Sequence, residues 1–147
     1  MPTHADVETL TRMLGRSPRA EFDVVVRNAA GDPVVIRNAP LLEDDTPMPT
    51  RYWLVDPELS RRVSQLESEG GVRRAEAAVD RDALQAAHAR YAAERDGALP
   101  ARHAGPRPYG GVGGTRRGVK CLHALYAYLL AGGDDPVGRW VEEQLRA

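Results

Sequence analysis

The sequence predicts an α+β domain in which a small antiparallel sheet, a hairpin plus a third strand, packs against about five helices, one of them buried. Three observations carry this expectation. Two short runs rich in β-branched residues flank a turn; several amphipathic stretches begin at capping residues and end at glycine; and one stretch near the C-terminus is apolar on almost every side. The 147 residues suit one domain over 1–147, which by general scaling buries roughly two-thirds of the surface its unfolded chain exposes.

Thr3 and Asp6 have capping-box spacing for a short helix with Val7, Leu10 and Leu14 on one face, ending near Gly15. Phe22-Asp-Val-Val-Val-Arg-Asn28 and Val34-Val-Ile-Arg37 read as two strands, joined through Ala29-Ala-Gly-Asp-Pro33. Two strands alone are marginal, so the hairpin needs a cover or a further partner. Arg51-Tyr-Trp-Leu-Val55 supplies a third strand after a proline-rich stretch. Asp56-Pro57 then starts a helix, because aspartate caps free N–H groups and proline tolerates the first helical position. Leu59, Val63 and Leu66 share its face until Gly70-Gly71.

Another helix is expected from Asp80 to about Asp96, with Leu84, Ala87, His88 and Tyr91 at helical spacing. From Gly97 to Gly118, 10 of 22 residues are Gly or Pro, and a connection that long reads as a binding loop or a linker lying at the surface. Val119 to about Ala131 forms the buried helix, and Asp135-Pro136 starts a last amphipathic one bearing Val137, Trp140, Val141 and Leu145.

Composition excludes several function classes. Apolar content is ordinary, no segment approaches membrane-spanning length, and the N-terminus lacks a charged region followed by an apolar run, so a soluble cytoplasmic location without membrane contact is expected. The single cysteine, Cys121, permits no internal disulfide. Net charge is −1, yet residues 97–133 contain no acid and five cations: Arg102, Arg107, Arg116, Arg117 and Lys120. Removing these five from 20 basic residues leaves 15 against 21 acidic ones, a remainder of −6. That asymmetry can concentrate an anion. A pI near 6.4 and the lack of a recognised motif argue against nucleic acid as the main partner.

Several motifs in this order resemble the bacterial family catalogued as domain of unknown function 501. They are Pro49-Thr-Arg-Tyr-Trp-Leu-Val-Asp-Pro57, Val63-Ser-Gln-Leu-Glu67, Gly110-Gly-Val-Gly-Gly114, Gly118-Val-Lys-Cys-Leu-His-Ala124 and Ala131-Gly-Gly-Asp-Asp-Pro-Val-Gly138. The resemblance implies a compact bacterial cytoplasmic domain and carries no established activity. The family pattern commonly has a second histidine where this chain has Leu125 and a cysteine near Val55-Asp56; both departures count against a metal site here.

The leading functional expectation is non-catalytic binding of a small anionic ligand, phosphate-bearing in the favoured form. The glycine-rich loop and following helix start would hold it through Gly111, Gly113, Gly114, Thr115, Arg116, Arg117, Lys120 and His123, since glycine frees main-chain N–H groups and arginine forks suit oxyanions. The segment is neither a dinucleotide fingerprint nor a P-loop: Val119 occupies the place of the P-loop lysine, and Lys120-Cys121 replaces the lysine–hydroxyl pair. The plain alternative is that glycine merely admits a buried helix into the core.

A protein-interaction module docking onto another cytoplasmic protein is the second expectation, and a hydrolase or transferase using His123 and Asp134 the third. No cofactor is expected. No metal is expected either: on a helix begun at Val119, the candidates Cys121 and His123 point about 200° apart by the ~3.6-residue repeat, and a zinc site would need further ligands, for which His88 and His103 are mere bystanders. Tyr52, Trp53 and Trp140 read as core; His88 reads as a boundary residue, His4 and His103 as terminal or loop residues.

Overall fold

The computed structural model describes residues 2–147. The Thr3–Asp6 capping box forms as the sequence predicts: Asp6 N–H donates to Thr3 Oγ1 at 3.0 Å, and Thr3 N–H donates to Asp6 Oδ2 at 2.8 Å. It starts α1 (His4–Leu14), which ends at Gly15 in the left-handed conformation. Asp6 also receives both terminal nitrogens of Arg27, at 2.9 and 2.8 Å. That pairing and the capping bonds hold its carboxyl far below the ordinary aspartate range.

Arg27 closes β1 (Ala20–Arg27), so the ion pair ties α1 to the sheet. β2 (Pro33–Leu42) runs antiparallel to β1 with Val24 opposite Ile36, and β3 (Tyr52–Leu54) adds to the far side of β2 with Val35 opposite Leu54. The strands lie in the order β1-β2-β3, and apolar clusters cover the sheet. Ile36 packs with Leu10 and Val55 under α1, while Val35, Tyr52 and Leu54 join the main core.

Six α-helices among the described residues make the architecture α+β. Asp56 caps α2 (Pro57–Ser68), and α3 (Gly71–Ala78), a helix the sequence pattern did not predict, follows after the Gly70 turn. The corner depends on glycine at 71, since a Cβ there would lie 2.5 Å from the Leu66 carbonyl oxygen and 3.0 Å from Leu122 Cδ1. α4 (Arg81–Gly97) starts at Asp80, and α6 (Pro136–Arg146) at Asp135. Between them α5 (Leu122–Leu130) is the central helix, packed on β3, α2 and α6. Leu122, Leu125 and Ala127 are buried, and Tyr128 meets Tyr52 and Tyr91 at ring-centroid distances of 5.7 and 5.2 Å. Among the described residues no helix is long and apolar enough to cross a membrane.

Candidate functional site

The glycine-rich segment divides at Thr115. Before it, residues 97–107 are exposed or half-buried, as expected of a surface loop, but Pro108, Gly111, Val112, Gly114 and Thr115 are buried. The cause is Arg95 of α4, only 1% exposed. Its guanidinium donates to the carbonyls of Pro49 (3.1 Å), Tyr109 (3.3 Å), Gly111 (3.3 Å) and Gly110 (2.8 Å), and to Asp96 (3.1 Å). A planar fork with five donors thus replaces the ladder that a strand would supply.

His88 fastens the loop from the other side. Val112 N–H donates to its Nδ1 at 3.0 Å, which makes Nε2 the protonated nitrogen that donates to the Gly118 carbonyl at 2.8 Å. A Cβ on Gly111 would collide with the His88 ring. The residue read as a boundary histidine is therefore an internal clamp, 2% exposed.

The main-chain donors proposed for an anion are engaged inside the fold. Gly111 N–H donates to Thr115 O (2.7 Å), Gly114 N–H to Gly111 O (3.1 Å) and Thr115 N–H to Val112 O (3.0 Å), while Gly113 adopts the left-handed φ of 59° within this turn. Arg116, Arg117 and Lys120 are exposed, with Arg116 5.5 Å above the Tyr109 ring. At the helix start, the chain supplies its own carboxylates: Glu76 accepts Val119 N–H at 3.0 Å and Glu67 accepts Leu122 N–H at 2.8 Å. The position where an incoming anion would profit from the helix N-terminus is filled by Glu67.

Those two acids also set where the helix begins. α5 starts at Leu122, three residues later than expected, and Cys121 is left extended at φ −148°, ψ 157°. The 200° argument against joint action therefore fails, because Cys121 is outside the helix. Glu67, Cys121 and His123 each bring one ligating atom to a cluster in which all lie within 4.8 Å of one another, every residue half-buried.

His123 is oriented by its surroundings. Nε2 lies 3.1 Å from the Ser60 carbonyl and 3.1 Å from Ser64 Oγ, and Nδ1 lies 3.4 Å from Glu67 Oε1. The Ser60 carbonyl can only accept, so Nε2 carries a hydrogen, and Nδ1 is the nitrogen whose lone pair can be offered to another group. Hydrogen bonding with the Cys121 thiol raises the His123 pKa; burial opposes this, and the Ser60 carbonyl and the Glu67 charge reinforce it. Burial pushes the Cys121 thiol up, but the bonds to His123 and the Ala124 backbone outweigh it and leave the thiol below its ordinary value. The pair is thus biased toward thiolate, the form that attacks electrophiles and binds metals.

Sequence reading missed Glu67. Its signal lies in Val63-Ser-Gln-Leu-Glu67, since Ser60, Ser64 and Glu67 recur at i, i+4 and i+7 on one face of α2. Asp134 does not join His123: it sits beyond the opposite end of the nine-residue α5, roughly 13 Å of helix away, and pairs with Arg139 and Arg90. His103 bonds the Pro106 carbonyl (2.8 Å), and His4 pairs with Glu8 (3.3 Å). Trp53 packs on the α1 side of the sheet, and Trp140 lies under Arg74, 5.4 Å from its ring.

Fold and site together define an α+β domain that sets a carboxylate, a thiol and an imidazole at the mouth of its central helix. The sequence profile of the family described as protein of unknown function (DUF501) matches residues 24–143, and the chain belongs to that family. The match takes in Glu67, Arg95, the whole loop, Cys121 and His123, while α1 lies outside it. No curated protein and no solved structure matches the chain.

Proposed function

We propose that this protein binds a divalent metal of the zinc class through Glu67 Oε1, Cys121 Sγ and His123 Nδ1, with a fourth position left for water or a ligand. The observation that carries the reading is the anchoring of His123 Nε2 on the Ser60 carbonyl, which turns Nδ1 toward Glu67. Metal-binding histidines characteristically donate their other N–H to a carbonyl or carboxylate, and ligating carboxylates are themselves hydrogen-bonded, as Glu67 is by Leu122 N–H.

The donor set fits the ion. Thiolate, imidazole and carboxylate together suit zinc better than magnesium or calcium, and three protein ligands with one open position are the pattern of reactive zinc sites. Zinc bonds of about 2.0–2.3 Å place tetrahedral ligand atoms under about 4 Å apart. The Glu67–His123 separation of 3.4 Å meets this already, and the remaining contacts, within 4.8 Å, close by small side-chain rotations.

The internal partners of the Gly111, Gly114 and Thr115 N–H groups favour the metal reading over an anion cradle built on those amides. Titration of the metal-free protein with Co(II) tests the metal reading. The expected result is a thiolate-to-cobalt charge-transfer band that saturates at one equivalent, is displaced by Zn(II), and is missing in Cys121→Ala. A protein without that band, or a band that persists in Cys121→Ala, would overturn the assignment.

A further inference from the structure

A groove of about 750 Å³ lies between α3, the beginning of α4 and the Arg117–Gly118 turn, separate from the residues of the metal cluster. Val79 and Leu84 give it an apolar floor, and Arg73, Arg81 and Arg117 reach it from three different elements. None of these three arginines is paired with a carboxylate among the described residues, whereas Arg27, Arg37, Arg61, Arg90 and Arg139 each have one. Two acids also border the groove, Glu76 and Asp82, so its lining carries three positive and two negative side chains.

Glu76 is committed elsewhere. Its Oε1 accepts Val119 N–H, and a Cβ on Gly118 would strike its carboxyl group, so glycine in the left-handed conformation (φ 62°) lets the loop come down onto α3. The Gly118 carbonyl is held by His88 at 2.8 Å. The Gly118–Val119 peptide that follows Arg117 is therefore held at both its carbonyl and its amide, and the Arg117 side chain lines the groove. Guanidinium groups without carboxylate partners retain their fork of donors for an external oxyanion.

We infer that this groove binds a small ligand bearing two or more phosphoryl groups, held by Arg73, Arg81 and Arg117, with an uncharged portion against Val79 and Leu84. The site needs no metal, so it stands or falls separately from the Glu67–Cys121–His123 centre. It keeps Arg117 from the expected anion-binding set and replaces the other members with Arg73 and Arg81, which lie outside the acid-free segment.

Isothermal titration of the full chain with inorganic tripolyphosphate, in the presence of EDTA, tests the inference. Saturable binding is expected, weakening as salt rises, with each of Arg73→Gln, Arg81→Gln and Arg117→Gln lowering affinity by about tenfold, the loss of roughly one charge-assisted hydrogen bond. Arg116→Gln, on the same loop but over Tyr109, should leave it unchanged. Absence of heat at millimolar tripolyphosphate would overturn the inference, as would equal weakening by Arg116→Gln, which signals diffuse charge attraction. A single-stranded oligonucleotide that displaces tripolyphosphate at lower phosphate concentration would replace it with a nucleic-acid surface.

Discussion

The stretch from Tyr109 to Thr115 has four glycines and no Lys or Arg, the stretch from Arg116 to His123 one glycine and three Lys or Arg, and the two halves of this loop use their backbone in opposite ways. In the first, backbone polar groups turn inward onto Arg95 and His88 and onto one another. In the second, carboxylates from α3 and α2 receive the N–H groups of Val119 and Leu122, the side chains of Arg116, Arg117 and Lys120 face outward, and those of Cys121 and His123 meet Glu67 in the cluster. Glycine content thus says that a backbone comes close to something; a buried guanidinium on one side and two borrowed carboxylates on the other decide what.

The comparison breaks most severely at Arg95. Arg95→Met leaves four carbonyls without their buried donor, so a loss of about 3 kcal/mol or more is expected in urea unfolding, with the cluster residues untouched by the substitution. Gly111→Ala attacks the same half by forcing a Cβ against the His88 ring, and should cost about 1–3 kcal/mol. If either variant unfolds like the parent, the first half is not the structural one.

Asp135 gives a reference point away from the loop, because it too is an acid at a helix start but has no cation against it. Its Oδ1 accepts Gly138 N–H at 2.9 Å, while Oδ2 is buried without a partner. Burial raises its pKa to about 6 despite the capping bonds. Since the folded value exceeds the unfolded one, the native state binds the proton more tightly, and this contribution to stability grows as pH falls from 7 toward 4. Asp135→Asn, which retains a capping oxygen, should therefore be more stable than the parent by about 1 kcal/mol at pH 7.5. The difference should shrink toward zero near pH 4. A constant difference across that range would mean that Asp135 does not carry the proton.

The smallest effect is expected in the outward half. Arg116→Ala removes a cation stacked on an exposed tyrosine, and the urea midpoint should not move measurably. A clear shift would show that this half also contributes to stability.

Local chemistry made most elements legible in advance. Thr3 and Asp6, Asp56-Pro57 and Asp135-Pro136 each mark a helix start whose cap forms within three residues, so no tertiary knowledge was needed. The start of α5 was not legible, because it depends on Glu67 and Glu76, which lie 55 and 43 residues away from the amides they receive. From that one boundary follows the failure to join Cys121 with His123. α3 was hidden by its glycine start, which reads as a stop until Leu122 is seen packing against it. Charge counting found Arg117, but Arg73 and Arg81 come from stretches of mixed charge, where only the folded arrangement separates them from their acidic neighbours.

Arg95 and His88 have one more consequence, for the timing of motion. A connection with ten glycines and prolines in 22 residues would ordinarily open on its own, independently of the helices it joins. Here the amides of Val112 and Thr115 are bonded within a buried turn whose anchors belong to α4. Their exchange with solvent deuterium should then require the same opening that exposes the core, and the loop would unfold with the domain as one cooperative unit.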